Sequence, residues 1–149
     1  MIPAIAIQSM TGAAISGVRE LERLNAQLPQ VPATTFHLVH AGLYARTITI
    51  PAKSLLTGAL IKIATVLIVS GDVDVTLGDG VTRLTGYHVL AAQAGRKQAF
   101  LAHADTQLTM VFATSSKDIQ HIEDEFTDEA DLLFSRKGEN IVTITGDTS

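Results

Sequence analysis

The sequence predicts a mainly β domain, a sandwich or small barrel with one helix before it and another after it. Between residues 34 and 114 the chain holds eight or nine segments of strand length that are rich in Val, Ile, Leu and Thr. Turn signals such as Ala94-Gly95 separate these segments, and no helical pattern lies between them. Helical spacing of apolar residues belongs to the flanking parts, residues 1–33 and 115–149. Many short strands joined by tight turns are typical of sandwiches and barrels.

Composition favours one domain that associates with other chains. The 149 residues are enough for a single core. Hydrophobic residues make up 46% of the chain and charged residues only 17%. Such a balance predicts apolar surface that another copy or another protein covers. The alternative is a small barrel with short loops, which carries few charges for that reason alone.

Charge and cysteine content exclude several classes of function. The net charge is −4, and basic residues are never more than two in a row, as in Arg96-Lys97 and Arg136-Lys137. Binding to a phosphate backbone needs a basic stripe, so we expect no nucleic-acid partner. The scattered basic residues also predict no anion clamp. The chain has no cysteine, which excludes disulfides, thiolate metal sites and a cysteine nucleophile.

The sequence predicts synthesis in the cytoplasm without a signal peptide. The first basic residue is Arg19, so the start of the chain lacks the positive region of a signal peptide. The longest apolar stretch, Leu55–Val69, is interrupted by polar residues and is too short to span a membrane as a helix.

The N-terminal part is predicted to be an arm that contains a helix over residues 9–28. Its apolar stripe consists of Ile15, Val18, Leu21, Leu24 and Leu28. Two prolines, Pro29 and Pro32, end the helix. Two glycines inside it, Gly12 and Gly17, weaken it, so it needs a surface on which to dock.

The strands of the central part follow from alternating or continuous β-branched and apolar residues. They are predicted over residues 34–40, 44–50, 55–63, 65–70, 73–77, 81–84, 87–92, 98–102 and 108–114. Gly-Asp at 71–72 and Gly-Asp-Gly at 78–80 are predicted turns. Pro51 ends the second strand, because proline cannot donate a hydrogen bond to a neighbouring strand.

The C-terminal part is predicted to be an acidic amphipathic helix over residues 117–134, followed by a strand over 140–145. Ser115 and Ser116 are candidate N-caps, with Asp118 in the first turn. The apolar face consists of Ile119, Ile122, Phe126, Ala130, Leu133 and Phe134.

The seven carboxylates of this helix are interpreted as a solvated face. They are Asp118, Glu123, Asp124, Glu125, Asp128, Glu129 and Asp131. A calcium site is the alternative, but the spacing lacks the Asp-x-Asp-x-Asp-Gly pattern of calcium loops. Arg136, Lys137 and Gly138 are expected to close the helix. The last strand is expected to pair with a sheet edge or a neighbouring subunit.

Residues 43–113 resemble the cupin superfamily. The similarity lies in YARTITIPAKSLLTG, LIVSGDVDVTLGDGVTRL and GYHVLAAQAGRKQAF. The chain is most similar to small cupin-like proteins encoded by tailed phages, with which it shares GLYAR, AGRKQAF and an acidic EFTDE helix. The resemblance implies a single cupin-like jelly roll over residues 34–114.

The metal ligands of cupins are absent from the matching positions. Metal cupins carry two His and a Glu in the first block and a His in the second. Residues 58–70 contain no His, Glu, Asp or Cys, and the position of the last ligand holds Gln98. The resemblance therefore carries over no metal site and no cofactor, and the sequence favours a protein that is not an enzyme.

The remaining polar candidates for a pocket are His88, Gln98, Arg46 and His37. His37 and His40 are three apart in a strand and therefore face opposite sides. Tyr87 and His88 are adjacent in a strand and cannot both line one pocket. The other histidines are expected at the surface: His103 at a turn, and His121 in a pair with Glu125.

Three functions follow as hypotheses. The first is a structural virion protein of a tailed phage, most simply a capsid decoration or cement protein, with a tail, collar or fibre-attachment role as a variant. It would assemble with itself through the jelly roll and the terminal arms, and with partners such as the major capsid protein. The second is a metal-free cupin that binds or isomerises a small polar molecule such as a sugar. The third is a homodimeric regulator or assembly chaperone.

Overall fold

The computed structural model describes residues 6–28, 30, 33–77 and 80–146. Within them lie two α-helices, α1 (Gly12–Asn25) and α2 (Ile119–Phe126). The strands are β1 (Ala6–Ile7), β2 (Thr34–His40), β3 (Leu43–Ile50), β4 (Leu55–Thr57), β5 (Thr65–Leu77), β6 (Gly80–Ala92), β7 (Ala99–Ala102), β8 (Thr106–Ala113) and β9 (Glu139–Ile144). The predicted class is confirmed: the domain is mainly β, with one helix before the main strands and one after them. Among these residues, neither helix has the length and apolar character needed to cross a bilayer.

The strands form a long layer and a short layer that share β5. The long layer has the order β1-β6-β5-β8-β3-β2-β9. In the short layer β7 pairs with both β5 and β4. The main core lies where side chains of both layers meet, and Val69, Val73 and Val75 of β5 are completely buried there. The inward residues of β2 alternate with outward ones, as its predicted pattern requires.

The predicted turn at residues 71–72 is wrong, because β5 runs through it without a break. Gly71 lies opposite Gly86 in the β5–β6 pairing, and both have positive φ. Up to Ser70 the strand pairs with β8, and from Val73 it pairs with β7. Glycine inside a strand marks a close approach of another backbone as well as a turn. The predicted turn at 78–80 begins with two residues outside the described part.

Replacing Gly71 with Ala is expected to destabilise the fold, whereas Gly17→Ala is expected to stabilise it. A Cβ at Gly71 would lie 2.8 Å from Cα of Thr106, at φ +148°. Backbone strain of this kind costs about 1–3 kcal/mol. A Cβ at Gly17 meets nothing within 4 Å, and the exchange gains about 0.5–1 kcal/mol in a helix. Urea denaturation of both variants measures the two signs; equal effects would contradict the role of Gly71.

The α1 helix is shorter than predicted, but it docks on the barrel as expected. Thr11 caps it, accepting a hydrogen bond from the backbone N–H of Ala14 at 3.1 Å. Val18 is buried, and together with Ile15 and Leu21 it packs against Leu55 and Ala99. The other two residues of the predicted stripe, Leu24 and Leu28, are exposed. The two prolines predicted to end the helix lie outside the described residues.

The prediction of one helix over residues 117–134 is wrong: α2 ends at Phe126. Asp118, and neither of the two serines, is the N-cap, accepting from the N–H of Gln120 at 3.0 Å. Two 3₁₀ turns, Ala130–Leu132 and Phe134–Arg136, follow. Hydrogen bonds to the chain after β4 end the helix, because Thr127 Oγ1 donates to the carbonyl of Leu60 at 2.7 Å.

The same hydrogen bonds explain why the predicted strand over 55–63 stops at Thr57. The backbone N–H of Lys62 donates to the carbonyl of Phe126 at 2.8 Å, and Gly58 N–H donates to Gln98 at 2.8 Å. Residues 58–63 thus bind a helix end on one side and the segment before β7 on the other.

Both terminal segments pack on their own barrel. The predicted last strand is confirmed as β9, which pairs in parallel with β2 at the sheet edge. At the other edge β1 pairs in parallel with β6, and Ile7 is buried in the main core. The strands β1 and β9 therefore form the two edges of the long layer within one chain.

Candidate functional site

A cavity of about 110 Å³ lies inside the barrel. Its walls are mostly apolar and include Leu67, Phe100, Leu108, Met110 and Phe126. Four polar residues line it as well: Arg46 from β3, Thr57 from β4, and Arg96 and Gln98 from the segment before β7. Two arginines thus meet at one cavity, although the sequence predicted scattered basic residues.

Arg96 is a buried cation whose hydrogen bonds go to uncharged groups. Its side chain donates from Nη1 to the carbonyl of Gln93 at 2.8 Å and from Nη2 to Thr65 Oγ1 at 2.7 Å. A weaker contact joins Nη2 to the sulfur of Met110 at 3.9 Å. Nε is buried and has no hydrogen-bond partner. Burial lowers the pKa of Arg96 to about 10, which is still far above neutral pH.

Arg46 belongs to a buried ion network centred on Glu123. Arg46 Nη1 donates to Glu123 Oε2 at 2.9 Å, and Arg136 Nε donates to Oε1 at 2.6 Å. The hydroxyl of Ser135 donates to the same carboxylate. The guanidinium of Arg46 also lies 5.5 Å from the ring centre of Phe126, a cation–π distance.

The interpretation of Glu123 as part of a solvated face is wrong, since its side chain is only 1% exposed. Phe126 follows three residues later and shares its side of the helix. That spacing is a sequence signal for an inward Glu123, but the carboxylate is stable there only because Arg46 arrives from β3. Burial raises the pKa of Glu123, and the hydrogen bonds from Ser135, Arg136 and Arg46 outweigh this and lower it below the ordinary value.

His37 is not among the described residues that line the cavity. It is connected to Arg46, which does line the cavity, through the hydroxyl of Tyr44. Nδ1 of His37 is 2.7 Å from Tyr44 Oη, and Nε2 is 2.7 Å from Oδ1 of Asn140. Arg46 Nη1 donates to Tyr44 Oη at 3.3 Å. Burial lowers the pKa of His37, which favours the neutral ring. His40 is exposed, so the prediction of opposite faces is confirmed.

His88 lies apart from the other pocket candidates. It is half-buried, and its Nε2 is 2.8 Å from the carbonyl oxygen of Thr85. The described residues that line the cavity do not include it. Tyr87, its neighbour, is 66% exposed. The structure therefore brings Gln98 and Arg46 together, with His37 behind them.

The remaining histidines make contacts at the surface. His103 Nε2 is 2.9 Å from Asp74 Oδ2. His121 lies 3.7 Å from Glu125, as predicted for this pair. In the described ranges no group of three or more His, Cys, Asp or Glu side chains could hold a metal ion.

Lys97 is also a buried cation, and, as for Arg96, the sequence did not predict its burial. Its side chain has no exposed surface, and Nζ donates to Glu22 of α1 and to Glu129, each at 3.0 Å. Arg19 of α1 also contacts Glu129, at 2.6 Å. No periodicity surrounds Arg96 and Lys97, which follow a turn, so the sequence carries no signal of their burial.

Part of the solvent side of the long layer carries no charged side chain over six strands and is apolar apart from three threonines. We call two rows of residues across β9, β2, β3, β8, β5 and β6 the outer face. The first row is Ile141, Phe36, Thr47, Thr109, Ile68 and Val89, and the second is Thr143, Leu38, Ala45, Val111, Val66 and Ala91. Phe36, Leu38 and Val89 are 45%, 41% and 52% exposed. None of the twelve carries a charge.

Comparisons with known proteins find likeness in solved structures only. No family model matches the chain, and no curated protein matches it. A cupin superfamily protein from Desulfitobacterium hafniense is 12% identical over 62% of this chain and 88% of its own, with a TM-score of 0.47. The cupin domain of an XRE family transcriptional regulator from Enterobacter cloacae is 9% identical over 50% and 84%, with a TM-score of 0.41.

An enzyme is among these structural neighbours. Salicylate 1,2-dioxygenase from Pseudaminobacter salicylatoxidans is 16% identical over 68% of this chain and 32% of its own, with a TM-score of 0.47. At such identities the likeness concerns the fold alone, and neighbours of this fold include both enzymes and domains of regulators.

Proposed function

We propose that this protein is a structural module that assembles with copies of itself through the outer face. The observation that carries the proposal is the run of twelve uncharged residues across six neighbouring strands. The centres of protein interfaces are depleted of charge in the same way. A monomer would leave this surface in water, and large apolar patches on soluble proteins mark interaction sites.

The outer face is large enough to form the centre of an interface between two copies. Six strands spaced by about 4.8 Å, with two rows of outward residues about 6.6 Å apart, give a plan of roughly 29 by 13 Å. This is about half of the ~800 Å² that each partner buries in a standard interface, so we expect the interface to extend beyond the two rows. A second copy fits because an uncharged face is complementary to itself. The exposed carboxylates Asp124 and Asp128 lie after β8, off the outer face.

We place this assembly in the virion of a tailed phage, as a capsid decoration or cement protein. This assignment rests on the GLYAR, AGRKQAF and EFTDE similarity to small phage proteins. Mass spectrometry of purified particles tests it: the protein at a fixed copy number per capsid supports decoration. Its presence in tails alone would move the role to tail, collar or fibre attachment, and its absence from particles would favour a regulator or chaperone.

Leu38→Glu is expected to dissociate the assembly, whereas Val81→Glu is expected to leave it intact. Two-fold packing of the outer face would bury the new carboxylate in an apolar interface, at a cost of several kcal/mol, or about a hundredfold or more in affinity. Val81 is a matched control because it is an aliphatic residue, 66% exposed, in the part of β6 beyond the outer face.

Native mass spectrometry of the wild type and both variants at micromolar concentration gives the result. A wild-type monomer would overturn self-assembly. An oligomer that persists in Leu38→Glu would place the interface elsewhere on the molecule.

A further inference from the structure

We propose that the cavity binds a small carboxylate that has a short aliphatic chain, with Arg96 as the principal partner of its charge. The proposal does not rest on self-assembly, since the cavity lies inside the barrel and the outer face lies on the opposite side of the long layer's strands.

The first argument is the balance of charge around the cavity. Glu123 is shared by the guanidinium groups of Arg46 and Arg136, and Asp124 also lies 3.8 Å from Arg136, so carboxylates match the positive charges of this cluster. Arg96 adds a positive charge without such a match, since none of the carboxylates in the described part of the chain lies within ion-pair distance of it. Buried charges are unfavourable unless they are paired, and an anion from solution would supply the missing partner.

The second argument is the supply of hydrogen-bond donors on Arg96. A guanidinium group carries five N–H donors. Three of those on Arg96 reach oxygen atoms, of Gln93, Ile63 and Thr65. A fourth meets only the sulfur of Met110, which is a weak acceptor, and the fifth, on Nε, has no partner. Met110 lines the same cavity as Arg96, so a carboxylate that displaced the thioether would gain a charge-assisted hydrogen bond.

The third argument concerns the chemical class of the ligand. The cavity of about 110 Å³ is somewhat smaller than the ~150 Å³ apolar cavity that accommodates benzene. Apolar side chains such as Leu67 and Leu108 form most of its wall. A sugar would leave hydroxyl groups unpaired against this wall, at a cost for each. A carboxylate with about four or five carbons satisfies both the arginine and the wall.

Isovalerate and its neutral amide form the test pair, because they have nearly the same shape and differ in charge. Isothermal titration calorimetry on the wild type is expected to show saturable binding of isovalerate at one site per chain. Isovaleramide is expected to bind roughly 10- to 100-fold more weakly, because its neutral oxygen makes a weaker hydrogen bond to Arg96 than a carboxylate oxygen does, and the difference in free energy corresponds to this ratio of affinities. Equal affinity for the two compounds would overturn the role of Arg96, and no binding of either would overturn the site.

Three variants locate the binding. Arg96→Gln is expected to lose the preference for isovalerate over the amide. Ala59→Val places two more carbon atoms in the cavity wall and is expected to abolish binding while Arg96 stays in place; this variant keeps the proposal testable if Arg96→Gln does not fold. Arg83→Gln removes an exposed arginine that pairs with Asp72 and is expected to bind as the wild type does. Unchanged binding in Ala59→Val would overturn the proposal, as would loss of binding in Arg83→Gln.

Discussion

Replacing Glu123 with Gln is expected to lower the free energy of unfolding by about 3–5 kcal/mol. Removing one partner of a buried ion pair leaves the other charge uncompensated, and the cost is of this size. In this protein Arg46 would lose its carboxylate in a site where it is only 9% exposed. Arg136 is 27% exposed and can turn toward water, so most of the loss falls on Arg46.

Asp124→Asn is the matched control for this variant. Asp124 is the next residue on the same helix, it is 69% exposed, and it lies 3.8 Å from Arg136. An exposed pair of this kind contributes about 0–1 kcal/mol. Urea denaturation of both variants gives the difference in the free energy of unfolding. A loss in Glu123→Gln no larger than in Asp124→Asn would show that the buried network is not a determinant of stability.

The pH dependence of stability in Glu123→Gln provides a second test of the buried network. The pKa of Glu123 is lower in the folded protein than its ordinary value of 4.5. A lowered carboxyl pKa contributes stability that is fully present above the unfolded pKa and is lost as pH falls through the folded one. The wild type is therefore expected to lose stability below about pH 4.5 more steeply than Glu123→Gln. Parallel acid profiles of the two proteins would contradict this.

Replacing Lys97 with Met is expected to destabilise the protein and to loosen α1 from the barrel. Met matches the length of Lys without its charge, so Glu22 and Glu129 would lose the ammonium group between them. Glu129 still forms an ion pair with Arg19 in this variant. We therefore expect the free energy of unfolding to fall by an amount at the lower end of about 3–5 kcal/mol. The effect should be largest in α1, because Glu22 belongs to that helix.

Hydrogen exchange measures this local effect, since amides of a loosened element exchange faster than those of the core. Amides of Gly12–Asn25 are expected to lose protection in Lys97→Met, while those of β5 keep it. Lys62→Met is the control, because Lys62 is 41% exposed and pairs with Asp128, which is 84% exposed. Equal protection of α1 in the two variants would show that apolar packing alone holds the arm.

The two proposals describe different parts of one molecule. The outer face concerns how copies of the chain meet, and the cavity concerns what one chain binds. A jelly roll allows both, because successive residues of a strand point to opposite sides of the sheet. Val66 and Ile68 of β5 belong to the outer face, while Leu67 lines the cavity.

The sequence alone predicted the elements whose pattern is local. The strand over 34–40 is found with the predicted bounds as β2, because its alternation of buried and exposed residues is complete within seven positions. The N-terminal helix and the last strand were also predicted from local features, helical spacing of apolar residues in the one and a short run of β-prone residues in the other. At residues 71–72 the local rule failed, since Gly-Asp is a turn signal and the pairing of Gly71 with Gly86 is a property of two strands.

Tertiary structure alone decided which charges are buried. Arg46 and Glu123 are 77 residues apart in the chain, and Lys97 and Glu22 are 75 apart. The burial of an ionised side chain depends on whether a distant partner reaches it, because water otherwise solvates the charge far better than the core does. Hydrophobic periodicity predicts the secondary structure of a segment and its buried face, and it does not predict which distant residue contacts that segment. For this reason the sequence determined the β architecture, whereas the Arg96 cavity, the Glu123 network and the Lys97 contacts to α1 followed only from the folded chain.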